Sequence, residues 1–208
     1  MFYNFPIIND IHDVLPAIQD RPEFIVAEKE GYKVVNYMVN LEDTFPPIKV
    51  AGGDAKMREM RMLHNALRRE CRGSKFDSVT GKIIARPYHK FFNVGERDEV
   101  RLDKIDFTGG LITVKLDGSM VHPFIVSNNL RWATKMGITD TSMQAEVFIA
   151  QNPQYIDFAR DCIGEGYTPI FEWCSNKNRI VLDYPEDQLI LTSVRHMITG
   201  EYQKLWNI

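Results

Sequence analysis

Apolar and polar positions change their period several times along the chain, and each change predicts an element. Residues 32–39 are aromatic and β-branched and predict a strand, whereas residues 10–19 predict a short helix broken by Pro16. Between residues 55 and 69, apolar side chains recur near helical spacing within a basic remainder. Their regular spacing predicts a helix that packs these side chains in the core: Met57, Met60, Met62, Leu63 and Leu67.

The second half of the chain repeats this mixture. Residues 76–85 place turn residues between two apolar arms and predict a hairpin, and Asn152-Pro153 predicts a helix start with an apolar face up to Gly164. Strands are predicted around Glu172, at 180–182 and at 189–194. Because strands and helices do not alternate regularly, we expect an α+β fold with mainly antiparallel sheets and flanking helices.

Length and charge bound the function. A chain of 208 residues can bury a core, and we expect a single domain over 1–208, with an N-terminal portion at 1–68 and a motif-bearing portion at 69–208. The formal net charge is −3, which is unusual for a protein that clamps nucleic acid non-specifically through excess positive charge. Any site for anions must therefore be locally basic.

Cysteine and histidine usage excludes several classes of site. The three cysteines, Cys71, Cys162 and Cys174, are odd in number and lack metal-ligand spacing, which argues against a disulfide framework or a structural zinc. The five histidines form no metalloprotease motif. The N-terminus resembles no targeting signal and no stretch reaches the length of a membrane span. We expect a cytoplasmic protein that contacts no membrane.

The strongest chemical candidate lies at residues 112–120, where a β-branched stretch is followed by Lys-Leu-Asp-Gly at 115–118. A strand ending at Val114 would aim Lys115 into a cleft, and Asp117-Gly118 would allow close backbone approach to a ligand. A neutral lysine amine in such a cleft can act as a covalent nucleophile. The same tetrapeptide also fits an ordinary hairpin with an Asp-Gly turn, and by itself it favours that alternative.

Further segments occur around this lysine in a distinctive order. They are Arg-Glu-Cys-Arg-Gly at 69–73, Ala-Arg-Pro-Tyr-His-Lys-Phe-Phe-Asn-Val-Gly-Glu at 85–96, Ile-Phe-Glu-Trp at 170–173 and Asn-Arg-Ile-Val-Leu-Asp-Tyr at 178–184. With Lys-Leu-Asp-Gly-Ser at 115–119, the set closely resembles the adenylyltransferase domain of the bacteriophage T4 RNA ligase 1 family, from about Arg69 to Tyr202. DNA ligases and GTP-using capping enzymes share Lys-x-Asp-Gly but not the Arg-Pro-x-x-Lys-Phe-Phe-Asn segment.

The resemblance implies an ATP-grasp-like covalent nucleotidyltransferase fold and an ATP-dependent RNA ligase that needs Mg²⁺. Lys115 matches the lysine that attacks the α-phosphate of ATP and forms lysyl-AMP. The AMP then passes to the 5′-phosphate of an RNA end, and a 3′-hydroxyl displaces it to seal the strand. RNA ends, including those of a tRNA under repair, would be the substrate, in a host cytoplasm if the gene is from a bacteriophage.

The resemblance also assigns the neighbouring side chains. Gly118 matches a glycine that lies against the nucleotide, and Glu172 a carboxylate that contacts the nucleoside or its metal. Phosphate binding falls to Arg72, Lys90 and Lys135, and Phe92 matches an aromatic residue near the nucleotide. A lone basic residue is more often solvated surface. Glu172 alternates with Phe171 and Trp173, so it lies either on the solvent face of a sheet or in a polar cleft.

The chain departs from the family pattern at its C-terminal end. Full-length members of the family carry two more motifs after this region, a Glu-Gly-containing metal-binding segment and a Lys-x-Lys strand that orients the triphosphate, and neither is found here. Gly-Glu-Gly-Tyr at 164–167 resembles the first but precedes Glu172, which is the wrong order. We therefore expect a C-terminally incomplete domain. Three origins fit: half of a split ligase completed by a second polypeptide, a fragment, or a degenerate remnant that binds nucleotide or RNA ends without turnover.

Overall fold

Two antiparallel sheets form the centre of the computed structural model, which describes residues 4–108, 112–178 and 181–204. The first sheet has the order β1-β2-β3-β4, with β1 (Phe24–Lys29), β2 (Tyr32–Tyr37), β3 (Arg72–Asp77) and β4 (Ile83–Ala85). The second has the order β6-β5-β7-β8, with β5 (Ser119–Val126), β6 (Asn129–Ala133), β7 (Tyr167–Cys174) and β8 (Gln188–His196).

Helices cover both sheets. They are α1 (Leu15–Ile18), α2 (Ala55–Glu70), α3 (Asp140–Ala150) and α4 (Gln154–Gly164), with 3₁₀ turns at Ile11–Asp13, Asp98–Val100, Leu102–Lys104 and Asn176–Asn178. Helix α1 packs on α2 beside the first sheet, and α3 and α4 pack on the second. The expected α+β fold with antiparallel sheets and flanking helices is thus confirmed. None of the helices described here combines the length and apolarity needed to cross a membrane.

Buried apolar side chains hold the two sheets together. One cluster lies between the first sheet and helices α1 and α2, and another lies between the second sheet and helices α3 and α4. A third joins the sheets directly, and in it the rings of Tyr32 and Phe124 meet edge to face at 4.9 Å. Since burial of such side chains drives folding, this third cluster fixes β2 and β4 of the first sheet against β5 and β6 of the second.

Several predicted elements are confirmed, with shifted ends. The strand predicted at 32–39 is β2, the hairpin at 76–85 contains the turn between β3 and β4, and the strand at 189–194 is β8. Pro153 occupies the N-cap position of α4, so the helix begins one residue later. Pro16 lies in the first turn of α1, where its missing N–H is tolerated, and it does not break a longer helix.

The prediction that the whole apolar stripe of α2 packs in the core is wrong. Met57, Met60 and Leu63 are 58%, 51% and 49% exposed, while Leu67 is buried. All buried residues of α2 lie between positions 65 and 70. Only the C-terminal part of the helix reaches the core, and the periodicity of the sequence could not show where that contact ends.

The prediction of a strand that ends at Val114 is also wrong. Residues 112–117 form no regular secondary structure, and Ile112 and Val114 are 85% and 84% exposed. β-branched residues form a strand only when a neighbouring strand pairs with them, and here pairing begins at Ser119. Of the strand predicted at 180–182, Ile180 lies outside the described residues, and Val181 and Leu182 are exposed bends.

Candidate active site

Lys115 lies in the irregular segment that leads into β5, with its side chain exposed. Its Nζ is 3.4 Å from the Leu116 carbonyl oxygen, and it forms no ion pair with any carboxylate that the structure describes. Its charge nevertheless acts on two neighbours, since it favours the ionised forms of Asp117 and Glu172. The amine is therefore accessible, and its charge reaches both carboxylates.

Asp117 ties the Lys115 segment to a second part of the family pattern. Its Oδ2 accepts the backbone N–H groups of Val181 at 2.7 Å and Leu182 at 2.6 Å, and its own N–H donates to the Tyr184 hydroxyl at 3.0 Å. The hydrogen bonds from Leu182 and Val181 lower the pKa of Asp117. Two segments far apart in sequence are thus joined beside Lys115.

Glu172 reaches the same place from β7. The register pairs Met120 with Glu172, and Glu172 Oε1 accepts the backbone N–H of Gly118 at 3.1 Å. Phe171 and Trp173 point to the opposite, buried face. Burial raises the pKa of Glu172, while the Gly118 N–H, Lys115 and Arg72 oppose that rise. Glu172 is thus half-buried among polar and charged groups and does not lie on a fully solvated face.

Gly118 is required sterically at this position. A Cβ built on it would lie 2.3 Å from the Trp173 carbonyl oxygen. Only glycine lets the backbone approach β7 closely enough to donate to Glu172.

Arg72 completes this part of the site from the start of β3. Its guanidinium carbon lies 5.2 Å from the Phe91 ring centroid, and Nη1 is 3.8 Å from Met120 Sδ. Its charge favours the ionised form of Glu172. Among the described side chains no carboxylate lies within ion-pair distance of Arg72. The structure therefore brings Arg72, Lys115, Gly118 and Glu172 together.

Lys90 and Phe92 form an adjoining group. Lys90 is 9% exposed, with Nζ 4.5 Å from the Phe92 ring centroid and 3.8 Å from Glu96 Oε1. The guanidinium groups of Arg69 and Arg97 also lie near that ring, at 5.2 Å and 5.4 Å. Phe92 is thus surrounded by cations, and it packs partly on the first core cluster.

Lys135 follows β6 and faces a different aromatic ring. Its Nζ lies 5.1 Å from the Tyr37 ring centroid, and an edge contact of 5.0 Å joins Tyr37 to Phe45. Phe45 in turn contacts Phe92 at 6.4 Å. The aromatic residues Tyr37, Phe45 and Phe92 therefore connect the surroundings of Lys135 with those of Lys90.

The arginine of the Arg-Pro-x-x-Lys-Phe-Phe-Asn segment has an architectural role. Arg86 is fully buried, and its Nε donates to Glu70 Oε2 at 3.0 Å. Arg195 donates to the same carboxylate and to the Pro87 carbonyl oxygen at 2.6 Å. Burial raises the pKa of Glu70, but Arg195 and Arg86 outweigh it and lower the pKa to about 2. This ion cluster fixes the start of the segment that carries Lys90.

Sequence reasoning missed one buried pair beside the site. Lys75 of β3 and His122 of β5 are both fully buried, and Lys75 Nζ lies 2.8 Å from His122 Nε2. The alternation of β3 could have placed Lys75 on the same face as Gly73. Nothing in the local sequence names His122 as its partner.

The three cysteines all lie in the described part of the chain, and no disulfide bond joins them there. Cys71, Cys162 and Cys174 are free thiols, and burial raises the pKa of each. Buried thiols with raised pKa values are unreactive. No group of three or more His, Cys, Asp or Glu within the described ranges is arranged to hold a metal ion by itself.

Known proteins resemble this chain in its motif-bearing part. The family model for T4 RNA ligase 1, described as RNA ligase, matches residues 70–207. A protein of Thermovibrio ammonificans named "Putative RNA ligase" is 36% identical over 193 residues, covering 92% of this chain and 46% of the relative. "RNA ligase 1" of Bacteriophage TS2126 is 22% identical over 142 residues, covering 64% of this chain and 36% of the relative. The chain thus spans less than half the length of each relative.

Proposed function

We propose that this chain, which belongs to the T4 RNA ligase 1 family, performs ATP-dependent adenylylation as the front part of an RNA ligase, with Lys115 as the nucleophile. The observation that supports this best is the meeting of Lys115, Gly118, Glu172 and Arg72 at the junction of β5 and β7. Three features that a nucleotidyl transfer needs occur there together. They are an accessible amine, a backbone that a nucleotide can approach closely and a carboxylate held in place by a hydrogen bond.

The proposed reaction has three steps. Lys115 Nζ, once deprotonated, attacks the α-phosphorus of ATP; a P–N bond forms and the P–O bond to pyrophosphate breaks. The 5′-phosphate of an RNA end then attacks the AMP phosphorus, which releases the lysine. Finally a 3′-hydroxyl attacks the activated 5′-phosphate, and AMP leaves as the phosphodiester forms. The proposed substrates are RNA ends, and a tRNA is one candidate.

Basic side chains that are not paired with a carboxylate in the described part of the chain would bind the phosphates. Within the part of the chain that the structure describes, Arg72, Lys115 and Lys135 have no carboxylate at ion-pair distance. Nucleotidyl transfer relies on positioning and on charge stabilisation of the polyphosphate. Lys90, mostly buried on the Phe92 ring, would add a fourth positive charge, and Phe92 would orient it.

Mg²⁺ fits this site together with the substrate. Mg²⁺ is commonly held by one or two carboxylates and by substrate phosphates. Glu172 supplies one half-buried carboxylate, so it would hold the ion jointly with ATP. When bound, the ion would neutralise charge on the leaving pyrophosphate.

The test is covalent labelling with α-³²P-ATP and Mg²⁺. We expect the parent protein to acquire an acid-labile label, as a P–N bond gives, and Lys115→Ala to acquire none. Lys56→Ala changes an exposed lysine of α2 and should label like the parent. Label that persists in Lys115→Ala would refute the assignment. ATP binding without any label in the parent would favour a nucleotide-binding remnant, or a split enzyme if a second polypeptide restores labelling.

The choice of nucleotide and of nucleic-acid acceptor distinguishes an RNA ligase from a capping enzyme and a DNA ligase. A capping enzyme would label from α-³²P-GTP, and a DNA ligase would discharge the label onto nicked DNA. We expect labelling from ATP alone and transfer to 5′-phosphorylated RNA.

A further inference from the structure

Lys75 is a lysine with no exposed surface and three polar contacts. Its Nζ lies 3.0 Å from the Gly73 carbonyl oxygen, 3.0 Å from the Thr134 carbonyl oxygen and 2.8 Å from His122 Nε2. An ammonium group would donate to all three acceptors, and a neutral amine would donate to the two carbonyls and accept from the imidazole. Either form leaves no buried N–H without a partner. Lysine is almost never fully buried otherwise, so the contacts explain why it is tolerated.

These contacts join three elements at the seam between the sheets. Gly73 and Lys75 belong to β3, His122 belongs to β5, and Thr134 follows β6. The Phe124 ring closes the site at 5.7 Å from Nζ. Burial lowers the pKa values of both Lys75 and His122, and the charge of Lys75 lowers that of His122 further. The pair is thus isolated from solvent and tied to backbone on both sheets.

The two carbonyl groups that Lys75 binds belong to residues next to the proposed phosphate-binding cations. Gly73 follows Arg72, and Thr134 precedes Lys135. The backbones also touch, since a Cβ built on Gly73 would lie 2.6 Å from Lys135 Cα, and Gly73 has a φ of +92°. One amine therefore holds the strand that carries Arg72 against the turn that carries Lys135.

We propose that Lys75 is a positioning residue that fixes the separation between Arg72 and Lys135 and so sets the affinity for the triphosphate of ATP. This inference rests on the proposed phosphate roles of those two cations. Methionine, an unbranched apolar residue one atom shorter than lysine, would fill most of the space but could not bind either carbonyl. The two cations would then move relative to each other, and a polyphosphate would no longer meet both at once.

The first measurement is independent of nucleotide. In Lys75→Met, we expect the amides of Thr134 and Gly137, which pair with each other's carbonyls at 2.9 Å and 3.1 Å, to exchange hydrogen faster than in the parent. Val14→Ala shortens a buried core side chain near the first sheet and serves as the matched control, with exchange at this turn unchanged. Parent-like exchange in Lys75→Met would overturn the inference. If Lys75→Met does not fold, Lys75→Gln, whose side chain is one atom shorter and ends in a neutral amide, must loosen the same turn.

The second measurement uses α,β-methylene ATP, which binds but cannot transfer AMP. We expect its Kd, measured by calorimetry, to rise about tenfold in Lys75→Met, which corresponds to the loss of about one good contact. That effect should vanish in a Lys135→Ala background, because Lys75 acts through Lys135. A Kd effect of equal size in both backgrounds would show that Lys75 is only a core residue and would overturn the inference.

The outcomes separate this inference from the proposed function. If Arg72→Ala and Lys135→Ala bind the analogue as the parent does, the proposed phosphate site fails and the claim about triphosphate affinity fails with it. The exchange measurement then decides alone whether Lys75 holds the turn. If those two variants bind weakly but Lys75→Met binds normally, the phosphate site stands and the positioning role of Lys75 is wrong.

Discussion

Gly118 donates its backbone N–H to Glu172 Oε1 at 3.1 Å, across the pair of strands β5 and β7. The contact exists because Gly118 can approach the Trp173 carbonyl oxygen without a side chain in between. The loop that carries the proposed nucleophile is therefore hydrogen-bonded directly to the proposed metal-binding carboxylate. A change at either residue must disturb the other.

We predict that Gly118→Ala destabilises the protein and abolishes covalent labelling. The added methyl would meet the Trp173 carbonyl oxygen at 2.3 Å, and relief of such a clash requires backbone movement that costs about 1–3 kcal/mol. Denaturant unfolding and α-³²P-ATP labelling measure the two effects. Gly164→Ala, where a Cβ meets nothing within 4 Å at the end of α4, should leave labelling unchanged and should not destabilise the protein. Full labelling in Gly118→Ala would contradict the placement of the glycine against the nucleotide.

We predict that Asp117→Asn loosens the segment at 181–184. The carboxylate of Asp117 accepts two backbone N–H groups, and an amide accepts them less strongly. The amides of Val181 and Leu182 should exchange several-fold faster in the variant, as mass spectrometry or NMR would show. Because the pKa of Asp117 lies below its ordinary value, the parent should keep this protection at neutral pH and lose it only in acid. Asp106→Asn is the control and should leave exchange at these amides unchanged.

We predict that Glu70→Gln is severely destabilising. Loss of the charge removes the Glu70 carboxylate from the buried guanidinium groups of Arg86 and Arg195, and breaking such a buried pair costs about 3–5 kcal/mol. The pKa of Glu70 is lowered from 4.5 to about 2. Its contribution is therefore complete above pH 4.5 and is lost as the pH falls towards 2.

Urea unfolding between pH 2 and pH 7 measures this contribution. The difference between parent and Glu70→Gln should shrink as the pH falls. Glu28→Gln removes an exposed partner of Lys33 and is the matched control; surface pairs of this kind contribute about 0–1 kcal/mol. A cost for Glu70→Gln no larger than that of the control would show that the ion cluster is not needed.

We predict that the two ends of α2 respond differently to substitution. Met60 is 51% exposed and Leu67 is 3% exposed. Met60→Gln should change the free energy of unfolding by less than about 0.5 kcal/mol, and Leu67→Ala should cost about 2–5 kcal/mol. Chemical denaturation of both variants tests this. A large cost for Met60→Gln would restore the core role that the periodicity predicted for the N-terminal part of the helix.

The sequence by itself determined the elements that depend on local patterns. Aromatic and β-branched residues predicted β2, an apolar run predicted β8, turn residues predicted the β3–β4 hairpin, and the proline followed by an apolar face predicted α4. The order of short motifs gave the family, because chemically constrained residues occur at fixed places in the chain whatever the surrounding fold looks like. The separate roles of Arg72, Lys115 and Glu172 remain predictions that labelling and binding must test.

Tertiary structure alone decided which residues meet. The ion cluster of Glu70, Arg86 and Arg195 and the pairing of Lys75 with His122 join positions that no local period connects. It also decided that Ile112 and Val114 stay exposed, since no strand pairs with them, and that α2 buries only its C-terminal part. Periodicity reports which side chains share a face, whereas burial depends on whether another element lies opposite that face, and only the folded chain supplies that element.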